Sequence, residues 1–331
     1  MQTKKLYDNL LDALEQKVPR KSELVNIVTD ILMIEKESAY RRLRGEIPFT
    51  LNEAGILAAR MDISMDELIY RDRIRDSKIA YVALPIHTSS ETYSYELLRQ
   101  MVDVMKEIAR HPGSEHGMAL NMLPAISYMH LSNLVRFFIL KWSHNYGMPE
   151  TFKHFSEIRL SEQGDNLRKE LSECYADIGH TLCIVDVKII ENIIRDIRYY
   201  LSVKLISADD VALVAADLIS MLDDMQKVTQ FGKFPSTGNK FDIYLSDITI
   251  STSYNYAEGG STAVSGLTSF VFQTALSTQK ETFLKIKDWV YYLRRMSTLI
   301  TVVGVKERVA FLDRQRRLLD ELIQQPVYES A

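Results

Sequence analysis

The sequence predicts a mostly α protein, with an N-terminal unit of five short helices and a larger helical C-terminal domain carrying an inserted β-hairpin. Three observations predict it. Glycine and proline are scarce, 13 and 8 among 331 residues, which favours long helices over turns. Apolar residues recur at three- and four-residue spacing along most of the chain. Period-two alternation is confined to the region that begins FDIYLSDITIST, at 241–252.

Leu6, Leu10, Leu11 and Leu14 mark a first helix. Leu24, Ile27, Val28, Ile31 and Leu32 mark a second, with Ser22 as candidate N-cap. After the interruption MIEK, residues 36 to 44 read as a third helix, with Ala39, Tyr40 and Leu43 on its apolar side and Gly45 as its stop. Thr50 and Glu53 have the spacing of a capping box before Ala54, Leu57, Ala58 and Met61. Ser64 and Glu67 repeat it before Leu68 and Ile69.

The stretch DILMIEKESAYRRLRGEIPFTLNEAGILAARMDISMDELI resembles the helix-turn-helix domain of Xre-type, phage-repressor-like transcription regulators of the Bacteroidetes type. Leu32 and Ile34 match the family's apolar turn positions, and Ala39 matches the small buried position of its recognition helix. Met33 stands where the family usually has glycine, Thr29 where alanine is common, and Glu35 where a serine or threonine cap is usual. Leu43 lies one residue from the usual apolar position. The resemblance covers residues 20 to 70. It implies a DNA-binding domain at 1–72, joined through a junction at 73–91 to a helical sensing or dimerisation domain at 92–331.

A third helix buried along Ala39 and Leu43 turns Lys36, Glu37, Tyr40, Arg41 and Arg44 outward. Arginine can donate two hydrogen bonds to guanine in the major groove and can neutralise phosphates. The first part of a recognition helix meets the bases, so Lys36, Glu37 and Tyr40 or Arg41 are candidate readers. Arg42 and Arg44 are candidate phosphate contacts, and Ser38 completes the candidate set. The plainer alternative is a solvated helix end, where cations suit the dipole.

Further along, Leu97, Leu98, Met101, Val104, Met105 and Ile108 form one stripe, ended by HPGSEHG. Residues 121 to 144 read as a buried helix, and 182 to 205 and 208 to 230 as a long pair, with Ser207 and Asp210 as a cap between them. The expected hairpin occupies 241–275, its strands FDIYLSDITIST and TSFVFQTAL. Two helices close the chain. Thr278 and Glu281 cap one, and Gly304 separates it from the other.

Motif chemistry is sparse. GGSTAVSG lacks the lysine and spacing of a phosphate loop, so a hairpin turn is expected there. His111 and His116 flank a turn with Glu115 but have no downstream pair for zinc. His130, His144 and His154, with Trp142, Tyr128 and Tyr146, suggest either an aromatic pocket or an ordinary core. Tyr199-Tyr200 and Tyr291-Tyr292 fit helix packing or an interface. No catalytic triad, H-E-x-x-H or paired-carboxylate motif is present, so an enzyme is not expected, nor any cofactor. Cys174 and Cys183 form neither a CxxC pair nor a disulfide framework.

The formal charge of −4 excludes a uniformly basic nucleic-acid binder, yet residues 36 to 45 are locally basic. The amphipathic N-terminus lacks a signal-peptide core, and no apolar run approaches the roughly 20 residues of a membrane span. The expected protein is a cytoplasmic, homodimeric transcription regulator. Its partners would be double-stranded DNA and a small-molecule or protein effector. The alternative is a protein-interaction scaffold without DNA binding.

Overall fold

The computed structural model describes residues 2–61, 63–65, 68–69, 92–145, 152–269 and 273–325. It divides into two units, Met1–Tyr81 and Val82–Ala331. The expected junction at 73–91, Glu67 of the second capping box, Tyr146 and residues 270–272 of the expected second strand lie outside the described residues.

The first unit contains α1 (Gln2–Lys17), α2 (Lys21–Leu32), α3 (Lys36–Leu43) and α4 (Leu51–Arg60). Leu10, Leu14, Leu24, Val28, Ala39 and Leu57 meet in its core, joined by Phe49 and Leu68. Helix α2 follows Arg20, so Ser22 lies inside its first turn and is not the cap. The Thr50–Glu53 box is reciprocal. Glu53 N–H donates to Thr50 Oγ1 at 3.2 Å, and Thr50 N–H donates to Glu53 Oε2 at 2.8 Å.

The second unit corrects the expected fold class. It is not a helical domain with one hairpin, because a seven-stranded mixed sheet runs through it. In chain order its elements are α5 (Thr92–Ala109), β1 (Glu115–Leu120), α6 (Ala125–Tyr128), α7 (Ser132–Asn145), α8 (Glu162–Asp177), β2 (His180–Asp186), α9 (Ile189–Ser202) and α10 (Ala208–Phe231). There follow β3 (Lys240–Ser246), β4 (Ser253–Gly259), β5 (Thr262–Ser269), β6 (Gln273–Ser277), α11 (Lys280–Arg295), β7 (Thr298–Leu299) and α12 (Val305–Gln324). The strand order is β6-β5-β4-β1-β2-β3-β7. Strands β1, β2 and β3 are parallel to one another, and the remaining pairings are antiparallel.

The physical reason is burial. β1 and β2 are buried almost end to end, so neither alternates polar with apolar, and a short apolar run has no period that separates strand from helix. The segment at 182–187 therefore read as the start of the helix that begins at Ile189. The expected hairpin is replaced as well. β3 pairs with β2 and β7, and β4 to β6 form a separate antiparallel meander.

Helices cover both faces of the sheet. Met118, Leu120, Cys183, Val185, Ile243 and Leu245 face α7, α9, α10 and α12. Ala119, Leu182, Ile184 and Tyr256 face Phe283, Ile286, Val290 and Leu293 of α11. A smaller cluster joins α5, α8 and Ala257 of β4. Helix α10 opens with the Ser207–Asp210 box, and Gly304 precedes α12 in the left-handed conformation. The cap before α11 is Gln279, without a side-chain bond. Among the described residues no helix is long and apolar enough to cross a membrane.

Candidate nucleic-acid interface

The α2–turn–α3 segment is built from backbone geometry. Met33 caps α2 at φ 53°, ψ 44°, and its N–H donates to Thr29 O. This is the left-handed region that glycine enters freely and other residues enter at a cost. Met33 thus adopts the conformation suited to glycine, with its side chain 93% exposed. Glu35 precedes α3 in extended conformation and supplies no side-chain cap bond.

Helix α3 buries Ala39 completely. Lys36, Glu37, Tyr40, Arg41 and Arg44 are exposed, and Ser38 and Leu43 are half-buried. The helix ends in a Schellman motif. Gly45, at φ 75°, donates its N–H to Arg42 O at 2.9 Å, and Glu46 N–H donates to Arg41 O at 2.9 Å. Tyr7 Oη of α1 donates to Arg42 O at 2.6 Å, which ties this end to the core.

The three arginines are held differently. The Arg41 and Arg44 side chains are 51% and 58% exposed and approach Glu46 at 3.5 and 3.2 Å. The Arg44 guanidinium also lies over the Tyr40 ring, 5.8 Å from its centroid. Arg42 is only 16% exposed. Its Nε and Nη2 donate to the two Glu53 oxygens at 3.3 and 2.9 Å, and its Nη1 donates to Ser38 O. Burial would raise the Glu53 carboxyl, but the Thr50 and Arg42 hydrogen bonds hold it below its usual value. Arg42 therefore braces α3 against α4, whereas Arg41 and Arg44 reach solvent.

No family model, curated protein or solved structure matches this chain.

The other sequence candidates are dispersed. His111 is half-buried beside Glu107, and His116 is buried against Tyr175, its ring 5.1 Å away. Burial lowers the His116 pKa to about 4, so it is neutral. His130 faces Asp224, and His144 meets Tyr200 edge-on, so the histidines contact different elements. GGSTAVSG forms the β4–β5 turn and the start of β5. Among the described residues no group of His, Cys, Asp or Glu is placed to hold a metal.

The structure also assembles a cluster that the sequence reading missed, on the α11 side of the sheet. Glu115, His180 and Lys240 are the first residues of β1, β2 and β3. The Glu115 carboxylate accepts from Tyr256 Oη at 2.6 Å, Tyr291 Oη at 2.9 Å and His180 Nδ1 at 3.3 Å, and Lys287 Nζ lies 3.1 Å away. His180 Nε2 bonds Asp242 at 3.0 Å, and Lys240 pairs with Asp242 at 2.7 Å. Glu258 pairs with Lys287. Burial works against the Glu115 charge, yet these donors hold its carboxyl well below the usual carboxylate range. Hydrogen bonds to Asp242 and then Glu115 push His180 up to about 9. Glu115, Asp242 and Glu258 thus balance His180, Lys240 and Lys287. The arrangement is a neutral lock, with the oxygens of Glu115 already occupied, and it fastens α11 to the sheet.

Proposed function

We propose that the chain is a DNA-binding transcription regulator in which α3 enters the major groove. The observation that carries the reading is the helix pair itself. A left-handed turn at Met33 sets α3 on a buried Ala39 and leaves Lys36, Glu37, Tyr40, Arg41 and Arg44 facing outward. Lys36, Glu37, Tyr40 and Arg41 would meet base edges, and Arg44 a phosphate. Arg42 supports them by positioning α3 through Glu53. The larger unit would pair copies or sense an effector.

Titration of the full chain against a random-sequence duplex pool, at several salt concentrations, tests this. Arg44→Ala should weaken binding and lower the salt slope by about 1, and Arg41→Ala should weaken binding and relax the sequence preference, both with the melting temperature unchanged. Arg42→Ala should instead lower the melting temperature. Affinity indifferent to Arg41, Arg44 and salt would overturn the reading.

One observation favours a second reading, a protein-interaction scaffold. Met33 and Leu51 of the same unit are 93% and 80% exposed. Protein capture that is lost in Met33→Ser and Leu51→Ser, by a chain indifferent to DNA, would decide for it.

A further inference from the structure

The loop 247–252, between β3 and β4, is held by the carboxyl ends of the three parallel strands. Asn121, which follows β1, donates from Nδ2 to Ser251 O at 3.3 Å, and Ser253 Oγ donates to Asn121 Oδ1 at 2.7 Å. Asp186, the last residue of β2, is 5% exposed, and its Oδ2 accepts from Ile250 N–H at 3.2 Å. Ser246, the last residue of β3, donates from Oγ to Ile248 O at 2.8 Å. Each strand end thus commits a polar side chain to this loop, which fixes it before anything binds there. The carboxyl ends of parallel strands are also where open α/β sheets take their ligands.

The second observation is independent. The loop forms one wall of a cavity of about 370 Å³ on the α11 side of the sheet. Thr249, Ser251 and Thr252 line it from the loop, Tyr254 and Leu267 from β4 and β5, and Trp289 from α11. The hydroxyls of Thr249, Ser251, Thr252 and Tyr254 have no hydrogen-bond partner among the described residues. The Trp289 side chain is 44% exposed, and its ring meets that of Tyr254 edge-on at 6.0 Å. Among the described residues none of the walls is charged. The exposed Lys285 stands outside the walls, its Nζ 6.0 Å from the indole centroid.

We propose that this cavity binds a neutral sugar, a mono- or disaccharide. The chemistry of its walls selects that class. A sugar ring presents C–H groups on one face, which suit the electron-rich face of an indole. Its edge carries hydroxyls, which both donate to and accept from the free hydroxyls of the loop. An uncharged wall offers a carboxylate or phosphate nothing to offset its lost hydration. A purely apolar guest would cover the loop hydroxyls and leave them unpaired. The volume lies at the small end of the roughly 300–1,000 Å³ of ligand pockets. The site lies wholly within the second unit and does not rest on DNA binding.

Titration of the full chain, followed by calorimetry and tryptophan fluorescence, tests the site. Trp289 is one of two tryptophans, and the other, Trp142, is buried, so a fluorescence change reports Trp289. The probes are glucose, galactose, mannose, maltose, cellobiose and lactose. One or more should bind with a Kd below about 1 mM and change the fluorescence. Trp289→Ala should weaken that binding by roughly tenfold or more, through lost stacking. Ser251→Ala combined with Thr252→Ala should weaken it by roughly tenfold or more as well. Melting should be unchanged in both variants, because all three side chains are exposed. Glucuronate, which adds a charge, and cyclohexanol, which keeps the ring but loses most hydroxyls, should each bind more weakly than the best sugar. Failure of every named sugar to bind, binding indifferent to these substitutions, or a preference for glucuronate or cyclohexanol overturns the proposal. Arg41→Ala should leave sugar binding unchanged, so failure of this site and failure of the DNA-binding reading are told apart.

Discussion

Met33 shows how one residue sets a turn against its own preference. Its left-handed backbone costs roughly 1–2 kcal/mol for a residue with a Cβ, and its side chain contributes little burial in return. Glycine removes that strain but costs about 0.5–1 kcal/mol in added freedom of the unfolded chain. Met33→Gly should therefore stabilise the first unit by about 0.5–1 kcal/mol, read as a higher urea midpoint with an unchanged slope. The departure from glycine was visible in the sequence, but that the turn keeps its geometry regardless was not. Arg42 makes the opposite case. On sequence it pairs with Arg44 as a candidate phosphate contact, although it follows Ala39 by three residues and so shares the buried side of α3. Helical spacing alone could have told it from Arg41 and Arg44.

At the scale of elements, close approach governs the sheet. Gly117 of β1 lies opposite Tyr256 of β4, and a Cβ on Gly117 would stand 2.2 Å from Tyr256 Cε1. Glycine there lets the tyrosine ring cross β1 and place its hydroxyl on Glu115. Gly117→Ala should destabilise the second unit by about 1–3 kcal/mol, as overpacking does. Glu115→Gln, which keeps the shape but not the charge, should shift the tyrosine absorbance of Tyr256 and Tyr291 without that steric cost. Absence of destabilisation in Gly117→Ala would show that the ring has room to move. The long amphipathic helices and the Ser207–Asp210 cap were legible, because their signals are local. The site cluster was not. Its members run from Glu115 to Tyr291, and strand register together with the packing of α11 brings them together.

For the whole molecule, buried His116 and half-buried His180 pull in opposite directions with pH. His180 is raised from 6.5 to about 9 in the folded state, so its stabilisation is complete below about 6.5 and lost as pH rises through 9. His116 is lowered from 6.5 to about 4, so its contribution is present above about 6.5 and lost as pH falls through 4. Glu115 and Asp242, both held low, add to the loss in acid. Stability of the second unit should therefore peak near pH 6.5. Denaturant midpoints across pH would show it. His180→Gln should flatten the alkaline limb, and His116→Phe should flatten the acid limb between 4 and 6.5. A midpoint that does not fall between pH 7 and 9 in the wild-type chain would show that the lock on Glu115 is absent in solution.

The charged residues that open β1, β2 and β3 also bear on how the chain reaches this state. These strands are separated by long helical crossovers, so their pairing is slow to find and open to error. A slip of one residue turns every side chain of a strand to the opposite face. For β2 it would carry His180 away from Glu115 and Asp242 and into the layer that holds Met118 and Ile243. A misaligned sheet would leave an uncompensated charge against hydrocarbon at its first rung. Glu115, His180 and Asp242 thus act as a proofreading key, which penalises each wrong alignment before α11 can close over the right one.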